Sequence, residues 1–313
     1  MALASKNVAD LITFTRASGG GRFNASGQYE WLAANVPRIN YDPVTGVCLG
    51  ILIEEQRTNL YLNSASQAAS TGTAVTPDAI TAPDGTMSAD LVYETAVSGE
   101  HYASDRNISM TAGVTYTYSA FVKAAPGAGR QIYLRIGANG NIFGGLFNPS
   151  NQTSLSISGG ATISYKPCGS GWYRVSMTFT AAATATSIVR IQLLDAAGGS
   201  AYTGDGASGL YVWGVQFEPG SFPTSYIPTI SAQVTRAADV ASVNTLSPWF
   251  NTAEGAVIVE ASEGYGTLST SLASMVSFDD GTTNNRIQLR RNISTTNASV
   301  AIVDSGSVSA SQT

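Results

Sequence analysis

The segment from Tyr211 to Pro228, YVWGVQFEPGSFPTSYIP, constrains the fold more than any other part of the chain. Tyr211, Trp213, Val215 and Phe217 alternate with Val212, Gly214 and Gln216, the period of two expected of a β-strand with one face in a core. Glu218-Pro219-Gly220 then ends the strand, because proline has no N–H for the ladder and glycine opens a turn. The same pattern recurs upstream. Candidate strands are Ala89 to Tyr93, Val114 to Lys123, Arg130 to Gly137, Ser154 to Ser158, Trp172 to Thr180, Ser187 to Leu194 and Leu210 to Glu218. Clusters of Gly, Pro, Asn and Ser separate them, with no helical run between, which predicts an all-β sandwich of the jelly-roll type. Composition agrees: 32 glycines, 11 prolines and 12% charged residues suit sheets joined by turns.

Three regions are expected. Residues 1–57 form a turn-rich opening segment in which Gly19-Gly20-Gly21 reads as a flexible break. A segment this small is marginal alone and is expected to pack on a partner chain or on the next domain. Residues 58–230 form the jelly roll. Residues 231–313 start a second β-sandwich, with strands at Gly255 to Glu260, Ser274 to Phe278, Arg286 to Arg290 and Ser299 to Val303, and a turn at Asp279-Asp280-Gly281.

Residues 14–64, FTRASGGGRFNASGQYEWLAANVPRINYDPVTGVCLGILIEEQRTNLYLNS, carry a more specific signal. Thr15-Arg16-Ala17-Ser18, Asn35 to Gly46 and Gly50 to Leu60 resemble the N-terminal signature of a bacteriophage fibre and head-spike family. Gly50-Ile51-Leu52 stands where the family has glycine-leucine-leucine, and the triple glycine is read as loosening the strand after the opening. A second echo is Val234-Thr235-Arg236-Ala237-Ala238-Asp239, following Ser225-Tyr226-Ile227-Pro228-Thr229. The middle region resembles a carbohydrate-binding-module-like jelly roll, and the C-terminal region the first half of a concanavalin-like (laminin-G-like) sandwich. These resemblances imply a virion protein attached by residues 1–57, other virion proteins as partners, a homotrimer, and a jelly roll that binds host surface polysaccharide. The alternatives are a purely structural virion connector or a polysaccharide depolymerase.

Sorting the strands by face puts Tyr116, Tyr118, Ala120, Val122, Ile132, Leu134, Ile136, Val175, Met177, Phe179, Val189, Ile191 and Leu193 in the core. Phe121, Tyr133, Arg135, Arg174, Arg190 and Gln192 then point outward. An aromatic ring packs on the apolar face of a pyranose while arginine and glutamine meet its hydroxyls, so these six are the candidate carbohydrate-binding residues, with acidic sugars favoured by the guanidinium groups. The competing reading is an ordinary solvent face, or one covered by another subunit. Trp172 and Trp213 are assigned to the core.

Catalytic signals are sparse, and the expectation is that the chain is not an enzyme. His101 is the single histidine and lies in GEHYASD, read as a solvated loop. There is no metal-spaced histidine or cysteine motif, and no marked pair of opposed carboxylates such as a glycosidase needs. No cofactor is expected. Asp205 and Glu218 are weak candidates for a structural calcium. Cys48 and Cys168 are read as free, buried thiols rather than as a bridge. The net charge of −5 and the isoelectric point near 4.9 count against nucleic acid. No apolar run approaches the roughly 20 residues of a membrane span, and MALASKNVAD has no signal-peptide core. A virion location reconciles an extracellular-type composition with the lack of a leader.

Overall fold

The computed structural model describes residues 12–127, 129–138, 141–244, 273–279, 286–291, 298–304 and 307–312, with positions 282 and 284. The fold is all-β, in two compact units, Met1–Asn244 and Thr245–Thr313. The first unit opens with six short strands: β1 (Thr13–Thr15), β2 (Gly20–Phe23), β3 (Tyr29–Leu32), β4 (Ile39–Tyr41), β5 (Cys48–Ile51) and β6 (Arg57–Asn59). Then come β7 (Thr73–Thr81), β8 (Met87–Glu94), β9 (Ser98–Met110), β10 (Thr115–Ala124), β11 (Gln131–Ala138) and β12 (Asn141–Asn148). They are followed by β13 (Thr153–Ser158), β14 (Thr162–Pro167), β15 (Trp172–Thr180), β16 (Ala185–Leu194), β17 (Ala201–Thr203) and β18 (Gly209–Pro219). The short β19 (Val234–Arg236) and β20 (Val240–Ser242) close the unit.

Two six-stranded antiparallel sheets stack face to face, in the orders β14-β15-β10-β18-β8-β7 and β13-β12-β11-β16-β9-β17. Their inner strands, β8-β18-β10-β15 over β9-β16-β11-β12, are those of a jelly roll: apart from the β11–β12 hairpin, each of these eight strands passes to the opposite sheet. All thirteen side chains assigned to the core lie between these sheets. The sequence pattern missed β7, β9, β12, β14 and β17. β9 is polar and lacks an even alternation, β12 carries Gly144 and Gly145 at its centre, and β7 contains Pro77.

The alternation that defined β18 breaks inside the strand. Leu210, Val212, Val215 and Phe217 face the inter-sheet core, whereas Trp213, with Tyr211 beside it, packs on the outer face. Gly214 has φ +60° at the place where the register with β10 shifts between Ser119 and Phe121, so a β-bulge reverses the facing. A Cβ at this position would also lie 2.9 Å from Phe121 Cδ2. Tyr211 and Trp213 therefore do not share a face with Val215 and Phe217. Beyond the bulge the chain at 59–64 takes over the free edge: Leu60 N donates to Phe217 O (2.7 Å) and Val215 N to Ser64 O (2.8 Å).

The expected boundaries near residues 57 and 230 fall inside the first unit. Thr13–Thr15 pair with Val240–Ser242, and Arg57–Asn59 with Val234–Arg236. The β2–β3 hairpin lays Tyr29 and Phe23 over the outer face of the first sheet, where they join Phe121, Trp172, Trp213 and Tyr226 in a second apolar cluster. Burying an aromatic side chain of this size contributes on the order of 2 kcal/mol. The triple glycine is not a loose break. Gly20 and Gly21 are buried within β2, and built Cβ atoms there would fall 2.8 Å from the Arg16 guanidinium and 1.5 Å from the Tyr29 hydroxyl. Glycine is needed because those two side chains cross directly over the strand.

Beneath this layer lies a buried charge network built from the signature residues. Asp239 meets Arg16 at 3.1 Å, also pairs with Arg38, and accepts a hydrogen bond from Glu54 N at 2.8 Å. Glu54 meets Arg38 at 2.6 Å and accepts from Ser225 N and Oγ at 2.7 Å each. Arg236 closes the group, 3.6 Å from Glu54 and 3.7 Å from Asp239. Burial pushes the Glu54 carboxyl up, but Arg236, Arg38 and the Ser225 hydroxyl outweigh it and hold the group below the usual carboxylate range. Arg236 moves the other way, its guanidinium lowered by burial. Asn59 is fully satisfied: its amide donates to Val215 O (3.3 Å) and Ile227 O (2.8 Å), and its oxygen accepts from Phe217 N and Tyr61 N at 3.0 Å each.

The second unit contains an antiparallel meander of β21 (Ala273–Asp279), β22 (Arg286–Arg291), β23 (Ala298–Asp304) and β24 (Ser307–Gln312). Three expected strands are present there. The strand expected at Gly255 to Glu260 lies outside the described residues, as do Asp280 and Gly281 of the expected turn.

Candidate functional site

The six candidate carbohydrate-binding residues do not form one face. Phe121 and Arg174 stand on β10 and β15 of the first sheet, and Tyr133, Arg135, Arg190 and Gln192 on β11 and β16 of the second. These are the two opposite outer surfaces of the sandwich, and sequence periodicity distinguishes inside from outside but not one outside from the other. Phe121 is fully buried and Arg174 is 3% exposed. The Arg174 guanidinium lies 5.2 Å from the Phe121 ring centre and donates to Ser119 Oγ (3.2 Å), under the lid made by Tyr29 and Tyr226. Neither can touch a ligand in solution. Trp172 and Trp213 are buried as expected, but in this second cluster rather than between the sheets.

The other four are brought together by register. Tyr133 lies opposite Gln192 on β16 and Leu146 on β12, Arg135 lies opposite Arg190, and Gln192 is followed across β9 by Tyr102. The Tyr133 ring sits on Gly144, where a built Cβ would come within 1.9 Å of its hydroxyl. Leu146 and Leu194 flank that ring and keep it mostly buried. Beside it runs a row of planar polar groups. Arg135 Nη1 donates to Glu100 Oε1 (3.1 Å) and Gln192 Oε1 (3.2 Å), and Gln192 itself is fully buried. Arg190 Nε lies 3.2 Å from Asp105 Oδ1, with its guanidinium 4.2 Å above the Tyr102 ring. Each arginine is already matched by a carboxylate, so the expected preference of this face for acidic sugars has no free cation to support it. Glu100, Tyr102 and Asp105 were not singled out from the sequence because β9 carries its own register shift, opposite Val189 to Ile191.

His101 is not a solvated loop residue. It is fully buried within β9, its ring against Tyr202, Nδ1 2.7 Å from Gly72 O and Nε2 3.2 Å from Tyr202 O. A buried imidazole held between two carbonyls is a structural element rather than an accessible base.

The two calcium candidates are occupied by their own neighbours. Asp205 accepts from Ser208 Oγ (2.6 Å), Ser208 N (2.7 Å) and Ala207 N (2.9 Å), bonds that hold its carboxyl well below the usual range. Glu218, fully buried, accepts from Gln216 Nε2 (2.6 Å) and from Thr224 N and Oγ1 (2.9 and 2.7 Å); burial pushes its carboxyl up. Among the described residues no three His, Cys, Asp or Glu side chains gather in a metal-holding group. Both cysteines are free. Cys48 is exposed, against the expectation of two buried thiols, because it lies on the two-stranded β4–β5 ribbon; Cys168 is buried and its thiol pushed up to about 12.

No protein-family model and no curated protein matches the chain. Among solved structures, it is similar to a xylanase 10B chain of Clostridium thermocellum containing CBM22-1 and GH10 modules in complex with xylohexaose, at 14% identity and a TM-score of 0.29. That match covers 56% of this chain and 30% of the length of the xylanase chain.

Proposed function

We propose that this chain is a non-catalytic component of a bacteriophage particle whose jelly roll holds neutral cell-surface glycans on the outer face of its second sheet. The observation that supports the reading is the fixed, partly exposed pair Arg135–Glu100, held from beneath by the buried Gln192 and Tyr133 and continued by Asp105–Arg190–Tyr102. Side chains locked by mutual hydrogen bonds lose little freedom when a sugar hydroxyl arrives, and paired charges suit an uncharged ligand. Such a shallow contact binds weakly per site, and a closed homotrimer displayed many times on a particle multiplies it. The phage assignment is supported by the signature around Arg16, Arg38 and Glu54-Glu55.

A glycan array read with intact protein and with Tyr133→Ala/Arg135→Ala tests the site. The expected result is binding to one neutral glycan class, lost by at least about tenfold in the variant, a difference of about 1.4 kcal/mol. Equal binding by a folded variant would place recognition elsewhere, and release of reducing ends from host polysaccharide would replace the reading with a depolymerase. A purely structural connector is the second reading, favoured by the exposure of Val44, Val47, Leu49 and Ile53 within the opening segment. It corresponds to an array without any binding.

A further inference from the structure

We propose that a separate cleft on the edge of the sandwich binds a carboxylate-bearing sugar, such as a uronic acid residue, through Arg106. The cleft has a volume of ≈ 400 Å³, within the range of about 300–1,000 Å³ typical of small-ligand sites. It opens where the chain at 60–62, which runs along the free edge of β18, faces residues 106–109 of β9, with Gln233 at its margin. The Arg106 guanidinium lies 5.5 Å from the centre of the buried Tyr61 ring and donates to the Asp105 carbonyl at 3.1 Å. The adjacent Asp105 carboxylate is engaged by Arg190 and Ser70, each at 3.2 Å. Among the described residues no carboxylate lies within ion-pair distance of Arg106, in contrast to Arg135 and Arg190 on the sheet face.

The rest of the lining has the character of a sugar site. Leu60, Leu62 and Ile108 line it with apolar surface, and Asn107, Ser109 and Gln233 complete the lining, the Ser109 hydroxyl being paired with Thr186 Oγ1 at 3.0 Å. A guanidinium fork pairs with a carboxylate through two parallel hydrogen bonds, and a ring packed beneath it keeps the fork in place. The net charge of −5 repels anions at long range, so selection for a carboxylate here has to come from this one local cation. The choice of a sugar as ligand rests on the glycan-binding reading above; the site does not, since it shares no residue with the sheet face.

The test titrates the full chain with sodium glucuronate and with methyl glucoside, its uncharged counterpart, by ligand-observed NMR. Glucuronate should bind at least tenfold more tightly than the glucoside, and Arg106→Met should abolish that preference. Arg135→Met, altering only the sheet face, should leave the affinity for glucuronate itself unchanged. Glucuronate binding unchanged in a folded R106M protein would overturn the proposal, as would equal binding of both sugars, or inorganic sulfate competing as well as glucuronate. Should R106M fail to fold, Asn107→Ala/Gln233→Ala, both at exposed positions, must weaken glucuronate at least fivefold or the site is wrong. Loss of neutral-glycan binding in Tyr133→Ala/Arg135→Ala with glucuronate binding retained separates the two sites. If R106M loses glucuronate while the array shows no neutral ligand, the sheet-face reading alone fails.

Discussion

Asp239→Asn removes one negative charge from the network without changing its shape. The wild-type group holds Arg16, Arg38 and Arg236, each with a fully buried side chain, against Glu54 and Asp239. After substitution three guanidinium groups share one carboxylate, and the amide can offer only one acceptor oxygen where two carboxylate oxygens now serve Arg16, Arg38 and Glu54 N. Breaking a buried ion pair by removing one partner costs about 3–5 kcal/mol, because the remaining charge stays desolvated. Against a fold stability of about 5–15 kcal/mol, that is a large fraction. With a urea dependence of about 3 kcal/mol per molar for a unit of this size, the unfolding midpoint falls by about 1–1.7 M. Trp172 and Trp213, each 3% exposed, report the transition by fluorescence. A midpoint shift smaller than about 0.3 M, roughly 1 kcal/mol, would refute the view that the network holds the outer layer on the jelly roll. A double-mutant cycle with Arg16→Met should give a coupling of about 1 kcal/mol or more.

Gly214→Ala places a side chain at φ +60° and 2.9 Å from Phe121 Cδ2, so it should destabilise by about 2 kcal/mol or more, visible as a thermal midpoint lowered by about 4–8 °C; an unchanged melting curve would mean that the bulge relaxes freely. The alkaline limb of stability should be steep. Burial raises Tyr29, Tyr118 and Tyr226 well above their ordinary value and Tyr61 to about 12, whereas in the unfolded chain all four ionise near pH 10. The folded state therefore keeps protons that the unfolded state releases, so the stability is fully present below pH 10 and is lost above it at about 5 kcal/mol per pH unit. Base titration followed by circular dichroism should show cooperative unfolding between about pH 10 and 12, with tyrosinate absorbance rising at the same midpoint; tyrosinate appearing before the structure is lost would contradict the assignment.

Much of the jelly roll was legible because its core strands obey a period of two. The same rule failed wherever the backbone departed from regular pleating. At Gly214 a bulge reversed the facing of half a strand that looks uniformly alternating, and in β9 a register shift hid Glu100, Tyr102 and Asp105, the partners that define the polar row. Periodicity also cannot say which of two outer surfaces a residue occupies, so Phe121 and Arg174 were grouped with residues on the far side of the sandwich. That choice depends on sheet order, a long-range property. Nor does local sequence reveal that the segment before residue 60 returns to cover one surface, because its contacts reach Asp239, 223 positions away from Arg16.

Four polar residues of the signature stretches are spent on burial. Arg16, Arg38, Asn59 and Arg236 are at most 1% exposed, and each bonds to a segment distant in sequence. A partner docking on this layer cannot reach them without dismantling the network, so the motif that resembles a phage attachment signature describes how the layer is closed. A partner that docks on this layer would meet the exposed residues around those positions instead. Trp31, Val36, Val44, Val47, Leu49 and Ile53 are exposed there, and replacing them leaves every buried pair intact.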